Sequence, residues 1–307
     1  MKKLFIATTI AAFLIPSLAT AQQEAQYSQN QFNSNLMINP AYAGSADCSS
    51  IGIRYRKQWT GLSGTPTTIG FIGETKVLSD RLGVGLCFNN DVIGIDRIMS
   101  LDANIAYHLP VSETGRLALG FKGGASWMKS DYTKLVGITP GDPLYGITKT
   151  FTIPYLGLGV LYYTDRFYVG ASSPRIVSFE KASARSTITA PHYYLYGGLK
   201  ITLDESLELR PALLTKYQPK APIEFDLAAD IWYNDRFGFG AAYRTGDAIN
   251  LMLKMKYRNL FFGYSYDMNI SGLKNFNRGS HELFLGLDLC RKGNSDDPTR
   301  NTNIRYF

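Results

Sequence analysis

Between Ile51 and Leu289 the chain repeats one pattern that leaves few folds open: apolar and polar side chains alternate in runs separated by turns. In Ile223-Glu224-Phe225-Asp226-Leu227 the alternation is apolar and acidic, and Asp230 continues the polar set. Leu251, Leu253, Met255 and Tyr257 oppose Asn250, Lys254, Lys256 and Arg258. Met99, Leu101, Ala103, Ile105 and Tyr107 oppose Ser100, Asp102, Asn104 and His108, and Leu283, Leu285, Leu287 and Leu289 oppose Glu282, Gly286 and Asp288. A period of two belongs to strands, whose successive side chains point to opposite faces. A soluble sandwich alternates too, so segment length and spacing decide between the two.

The segments lie near 51–59, 67–77, 82–90, 97–108, 116–127, 151–163, 167–173, 191–202, 207–217, 223–233, 236–244, 249–257, 260–269 and 280–289, fourteen in all. Most run about 9–11 residues, the length of a tilted strand crossing a bilayer, whereas soluble strands average about 5–6. Connections alternate as well. Short turns occur at Ser79-Asp80, Glu113-Thr114-Gly115, Thr164-Asp165, Asp204-Glu205, Asn234-Asp235 and Arg258-Asn259, with longer loops between them at 128–150, 174–190 and 270–279. Short turns at one end and long loops at the other characterise outer-membrane barrels. Closure is what lets a sheet sit in lipid without an unpaired edge. Aromatics make up 13% of the chain and collect at segment ends: Trp59, Tyr107, Trp127, Tyr162-Tyr163, Tyr193-Tyr194, Trp232-Tyr233, Tyr257 and Tyr264 to Tyr266. Interfacial girdles have this placement. The expected fold is all-β: a transmembrane antiparallel barrel of about fourteen strands over residues 51–290.

A degenerate repeat supports a recurrent hairpin. Ser79-Asp80-Arg81-Leu82-Gly83-Val84-Gly85, Thr164-Asp165-Arg166-Phe167-Tyr168-Val169-Gly170 and Asn234-Asp235-Arg236-Phe237-Gly238-Phe239-Gly240 share a turn residue, Asp, Arg, apolar, x, apolar, Gly. The Asp can bond turn backbone, and the Gly can relieve crowding inside a barrel. The spacing is irregular, which excludes a fixed-period solenoid.

The first residues give an address. Met1-Lys2-Lys3, the apolar stretch Leu4 to Leu18 and Ala19-Thr20-Ala21 read as a secretory signal peptide over 1–21, cleaved before Gln22. No later apolar run reaches 18 residues, so membrane-spanning helices are not expected. Residues 22–50 are polar, with the patch Leu36-Met37-Ile38-Asn39-Pro40-Ala41-Tyr42-Ala43-Gly44, and read as a plug or periplasmic segment. Residues 291–307 read as a polar periplasmic tail whose end, Ile304-Arg305-Tyr306-Phe307, is a possible partner contact. With an even strand number both termini fall on the short-turn, periplasmic side. Net charge is a modest +7 without a basic cluster interleaved with stacking aromatics, so nucleic acid is not an expected partner. Cys48, Cys87 and Cys290 are too few for a disulfide scaffold and lack metal-ligand spacing. Whether Cys48 and Cys87 pair is left open.

Catalytic readings are weak. Ser280-His281-Glu282, with Asp267 as orienter, suggests a hydrolase. However, His281 shares the parity of Leu283 and Leu285 while Glu282 faces the other way, so the set would not converge. His108 and His192 have no partner at ligand spacing. Gly157-Leu158-Gly159 and Gly61-Leu62-Ser63-Gly64 precede no helix and are not phosphate loops. No catalytic, cofactor-binding or metal-binding residues are expected. Parity instead puts Arg54, Arg56, Asp102, Lys122, Lys200, Glu208, Arg210, Lys216, Glu224, Asp226, Asp230, Lys254, Lys256 and Glu282 on the face away from lipid. A selective pore would bias one sign. Mixed signs fit either a lumen closed by ion pairs or a hydrated one. A barrel this wide is not filled by wall side chains alone, which makes Gln22 to Gly44 a candidate plug.

A family resemblance joins these features. It is carried by Asn39-Pro40-Ala41-Tyr42-Ala43-Gly44, Tyr55-Arg56-Lys57-Gln58-Trp59-Thr60-Gly61 and Gly64-Thr65-Pro66-Thr67-Thr68, then Arg166-Phe167-Tyr168-Val169-Gly170 with Ser173-Pro174, His192-Tyr193-Tyr194 with Gly197-Gly198 and Arg210-Pro211. Tyr243-Arg244-Thr245-Gly246-Asp247-Ala248, Gly263-Tyr264-Ser265-Tyr266-Asp267 and Gly279-Ser280-His281-Glu282 complete it. Together they resemble the PorP/SprF family of type IX secretion outer-membrane proteins in Bacteroidetes. The Asn-Pro-Ala patch also resembles the N-terminal hatch of FadL-type channels, a fourteen-stranded class. The resemblance implies a non-enzymatic outer-membrane component that supports export or surface attachment of cargo, including gliding adhesins in motile relatives. Its expected partners are other secretion components in the periplasm and outer membrane, secreted cargo and outer-membrane lipid. The alternative is a FadL-like uptake channel for a small apolar ligand.

Overall fold

A computed structural model describes residues 35–46, 48–77, 81–135, 146–179, 190–219 and 221–290. The signal peptide, the tail and its Ile304 to Phe307 end lie outside the described residues. The wall is built from β1 (Ser49–Lys57), β2 (Thr67–Val77), β3 (Leu82–Ile93), β4 (Asp96–Pro110), β5 (Arg116–Asp131), β6 (Thr148–Tyr163), β7 (Phe167–Ser178) and β8 (Tyr193–Leu199). It continues through β9 (Ile201–Thr202), β10 (Leu207–Tyr217), β11 (Glu224–Tyr233), β12 (Phe237–Arg244), β13 (Ala248–Tyr257), β14 (Leu260–Asn269) and β15 (Ser280–Leu289). β8 and β9 are two pieces of one span interrupted at Lys200, and both pair with β10. The barrel therefore has fourteen antiparallel strands. Chain neighbours pair throughout, and β1 pairs with β15 from Ser49 opposite Leu289 to Lys57 opposite His281, which closes the ring.

Closure brings Cys48 and Cys290 together in a disulfide beside the first rung of that seam, and Cys87 is buried as a free thiol. The pairing considered from sequence, Cys48 with Cys87, is therefore not the one formed. Cys87 points into the lumen, and the partner of Cys48 is 242 residues away in sequence.

Side-chain exposure follows the two-residue period, inverted relative to a soluble sandwich. Outward positions carry bare apolar groups around the whole wall, such as Leu86, Leu119, Leu158, Leu195, Leu227, Phe239, Leu253 and Leu285. An uncovered apolar belt on this scale suits lipid and not water. Inward positions carry buried Arg, Lys, Asp, Glu and Asn. Among the described residues no helix is long and apolar enough to cross a membrane, and the strands supply the span. Outward aromatics form two bands: Tyr107, Tyr162, Tyr233 and Tyr257 near the short turns, Trp127, Tyr193, Tyr217 and Tyr243 near the long loops. Three residues expected in these girdles turn inward instead. Tyr163, Tyr194 and Trp232 sit one residue from their outward neighbours, so the pleat buries them, and Trp59 lies in the β1–β2 loop.

β4, β5 and β6 are longer than expected, at 15, 16 and 16 residues. The β5–β6 ladder runs on to Asp131 opposite Thr148, inside the stretch assigned to a loop. β7 likewise continues through Pro174 to Ser178, with a bulge opposite Leu156 and Leu158. In β5 and β6 the extensions hold few apolar residues, and in β7 a bulge breaks the two-residue period, so the alternation that marks a strand is lost. At the opposite end Asn234 and Asp235 adopt φ of 51° and 49°, the conformation of a two-residue hairpin turn.

Candidate functional site

The interior is occupied from two sides. On one side the chain before β1 folds back into the barrel as a short helix, α1 (Asn35–Ile38), followed by a 3-10 turn at Pro40–Tyr42. All residues from Asn35 to Ala46 are buried. Asn39 organises the bend. Its Oδ1 accepts from the Ala41 amide at 2.8 Å, and Pro40 occupies the first turn, where no amide hydrogen is needed. Asn39 Nδ2 donates to the Val160 carbonyl at 3.0 Å and to the Tyr196 hydroxyl at 2.5 Å.

The wall facing this segment is built from small side chains: Gly83, Gly85, Ala106, Ala118, Gly120, Gly159 and Ser172. A Cβ at Gly83 would collide with the Ala43 carbonyl, and one at Gly120 with the Ala41 amide. Glycine lets backbone approach backbone here. Polar side chains then bind the segment's main chain. Lys122 donates to the Met37 carbonyl at 2.7 Å, Ser172 to the Ile38 carbonyl at 2.8 Å, and His108 Nε2 lies 2.8 Å from the Ala43 carbonyl. The Gly44 amide donates to Glu74 at 2.9 Å. Arg54 reaches Met37 Sδ and Asn89, and Lys122 also meets Asp102 at 3.4 Å. Tyr42 stacks on Tyr196 with ring centroids 5.9 Å apart, and burial holds its phenol well above the usual range.

The other side is crossed by ion pairs. Near the long loops Arg56 meets Asp267 at 2.5 Å and Glu282 at 3.0 Å. Arg244 meets Asp226 at 3.2 Å, Asp247 at 3.3 Å, Asp267 at 3.5 Å and Glu224 at 3.9 Å. Asn250 donates to Asp267. Towards the short turns Lys254 meets Asp230 at 2.6 Å, and Arg210 meets Glu208 at 2.5 Å and Asp235 at 3.0 Å. Lys200 joins Glu208, Lys256 joins Asp235, and Arg210 lies over the Trp232 ring. Lys216 is buried on the same inner face. Trp232, Phe261 and Phe284 fill the space below as an aromatic cluster.

The inward set read from parity thus divides into two groups. Arg54, Asp102 and Lys122 gather around the N-terminal segment, and the remaining named charges gather on the facing wall. Arg244, which closes β12, and Asp267 are the hubs of this network, and the sequence reading places neither among the lumen-facing charges. Inward parity was the available signal for both. His108, without a partner at ligand spacing, bridges Tyr163 and the segment's backbone. The Ser280, His281 and Glu282 side chains diverge. Ser280 accepts from the Trp59 amide, His281 faces outward to Tyr264, and Glu282 is bound by Arg56. Among the described residues no group of three or more His, Cys, Asp or Glu could hold a metal ion.

A closed antiparallel wall, apolar outside and ionic inside, defines an integral β-barrel membrane protein. The chain belongs to the PorP/SprF family of type IX secretion system membrane proteins, whose family model matches residues 19–287. That membership and the barrel place it in the outer membrane as a component of that system. Among curated proteins none matches the chain. Similar solved structures include the Ralstonia pickettii toluene transporter TbuX, at 10% identity and TM-score 0.48, covering 91% of this chain and 99% of that one. The CymD monoaromatic hydrocarbon channel matches at 11% identity and TM-score 0.48, covering 89% and 94%. The KdgM porin matches at 11% identity and TM-score 0.40, covering 78% and 98%.

Proposed function

We propose that this protein is a closed, non-enzymatic scaffold of type IX secretion. In this reading it supports export or surface attachment of cargo through protein contacts, and it does not conduct solute. The observation that carries the reading is the doubly filled lumen: residues 35–46 against one wall and the Arg56–Asp267–Arg244 network across the other. Buried ion pairs are costly to open, because separating partners strands a charge. Of the expected plug 22–50 and barrel 51–290, the barrel begins two residues earlier, at Ser49, and the segment before it acts as the plug. The long loops face outward, where cargo docks, and both termini face the periplasm, as short-turn ends do in outer-membrane barrels. The tail, with Ile304, Arg305, Tyr306 and Phe307, contacts periplasmic machinery. Truncation after residue 292 is expected to reduce co-purifying secretion components while the barrel still assembles. Unchanged co-purification would remove that role.

The direct test of closure is conductance in planar bilayers. Wild-type protein is expected to be silent, while a variant lacking residues 35–46 opens steps. Steady conductance from the wild type, or uptake of small apolar compounds dependent on this barrel, would favour the channel reading.

A further inference from the structure

Among the described strand residues, charge on the outward face is confined to one place. Among the described strand residues, the charged side chains on the outward face are Lys57, Arg97, Lys129 and Asp131. All four stand at the long-loop ends of β1, β4 and β5. The three cations lie on a single register row: Lys57 is opposite Thr67, Thr67 opposite Val92, Val92 opposite Arg97, and Arg97 opposite Lys129. With strands about 4.8 Å apart, Lys57 and Arg97 are roughly 14 Å apart and Arg97 and Lys129 are immediate neighbours. Like charges directly opposite each other destabilise a sheet. Arg97 and Lys129 are nonetheless both exposed. Among the described residues Lys57 donates to neutral oxygens of Thr65 and Thr67. Asp131, the one acid on this face among the described strand residues, accepts from Thr133, pairs with Lys134 and also acts on Lys129. Among the described residues, three cations against one acid leave the row net positive, a charge that favours an anion.

Six residues further down the same strands is a groove of about 650 Å³, lined on its lipid side by Ile51, Phe71, Gly73, Ala103, Phe121 and Gly123. Its floor is small because Gly73, Ala103 and Gly123 fall on one row, through Leu86. Six residues are about 20 Å of strand. At a barrel tilt of about 40° that is roughly 15 Å of depth, half the hydrocarbon thickness. The groove therefore lies one leaflet below the cations.

We propose that the β1–β5 face is a lipid site. Lys57, Arg97 and Lys129 hold a phosphorylated headgroup, and an acyl chain ends in the groove over Gly73, Ala103 and Gly123. Assigning this lipid to the outer leaflet rests on the orientation given above, and the site itself does not.

The test compares wild-type barrel, Arg97→Gln/Lys129→Gln and Gly123→Leu, each extracted from membranes in mild detergent. A side chain at Gly123 starts in open space, since its Cβ would meet nothing nearer than 3.9 Å. Heat-modifiable gel migration checks that every variant is folded. Binding of diphosphorylated lipid A, phosphatidylglycerol and inorganic phosphate is read by native mass spectrometry. The expected result is lipid retained by the wild type, binding roughly 30-fold weaker after loss of two surface cations, and weaker binding in the groove variant. Equal retention by wild type and the double variant would overturn the site. Competition by inorganic phosphate as strong as by lipid would overturn its lipid character. Retention of phosphatidylglycerol in preference to lipid A would keep the site and refute the orientation.

Discussion

Asp267 shows how a single carboxylate holds two cations in place. It accepts from Arg56 and Asn250 and lies 3.5 Å from Arg244. Removing one partner of a buried network costs about 3–5 kcal/mol, because the remaining charges are left uncompensated. Asp267→Ala is expected to lower the barrel's melting transition markedly, read by heat-modifiable gel migration, while Asp131→Ala at the exposed rim should barely move it. Asp204 makes a smaller, pH-dependent contribution. The amide and hydroxyl of Ser206, then the Leu207 amide, donate to its carboxylate and hold its pKa below the ordinary carboxylate range. A depressed folded-state pKa favours the native turn above about pH 4 and loses that benefit as pH falls through the lowered value. Ser206 and Leu207 amide shifts are expected to titrate below pH 4 in the wild type and to stay flat in Asp204→Asn. Side-chain direction was legible at this scale because a strand allows only two faces. Partners were not legible, because Arg56 and Asp267 are 211 positions apart.

The elements were read from alternation, and they end where alternation ends. Residues 128–131 and 148–150 form strand with few apolar residues, so alternation does not mark them. The N-terminal segment could be recognised as a candidate plug from barrel width. Its seat could not, because that depends on Gly83, Gly120 and Gly159 from three different strands arriving side by side. Gly120→Leu is expected to push residues 39–43 from the wall and to open measurable conductance in planar bilayers. Gly272→Leu, in the open β14–β15 loop where a Cβ meets nothing within 4 Å, should leave conductance unchanged. The seam disulfide was equally hidden, since only closure brings Cys48 to Cys290. A chain-entropy account credits a covalent loop this long with about 5 kcal/mol. Cys48→Ser/Cys290→Ser is therefore expected to lower the melting transition to the level of reduced wild type, with the same folded band at low temperature.

As a whole molecule the barrel carries an apolar outside and, among the described residues, an interior occupied by residues 35–46 and by ion pairs. Family membership assigns the barrel to type IX secretion, and the proposed scaffold role rests on that occupied interior. The decisive measurement is the secreted and surface proteome of a strain lacking this protein, beside the same strain complemented with it. The account predicts that exported proteins, from one cargo to the whole set, leave the surface and collect in the periplasm, and that complementation restores them. It also predicts restoration by a variant whose conductance is nil. An unchanged secretome, or rescue only by conducting variants, would contradict the scaffold reading and leave the barrel as a channel.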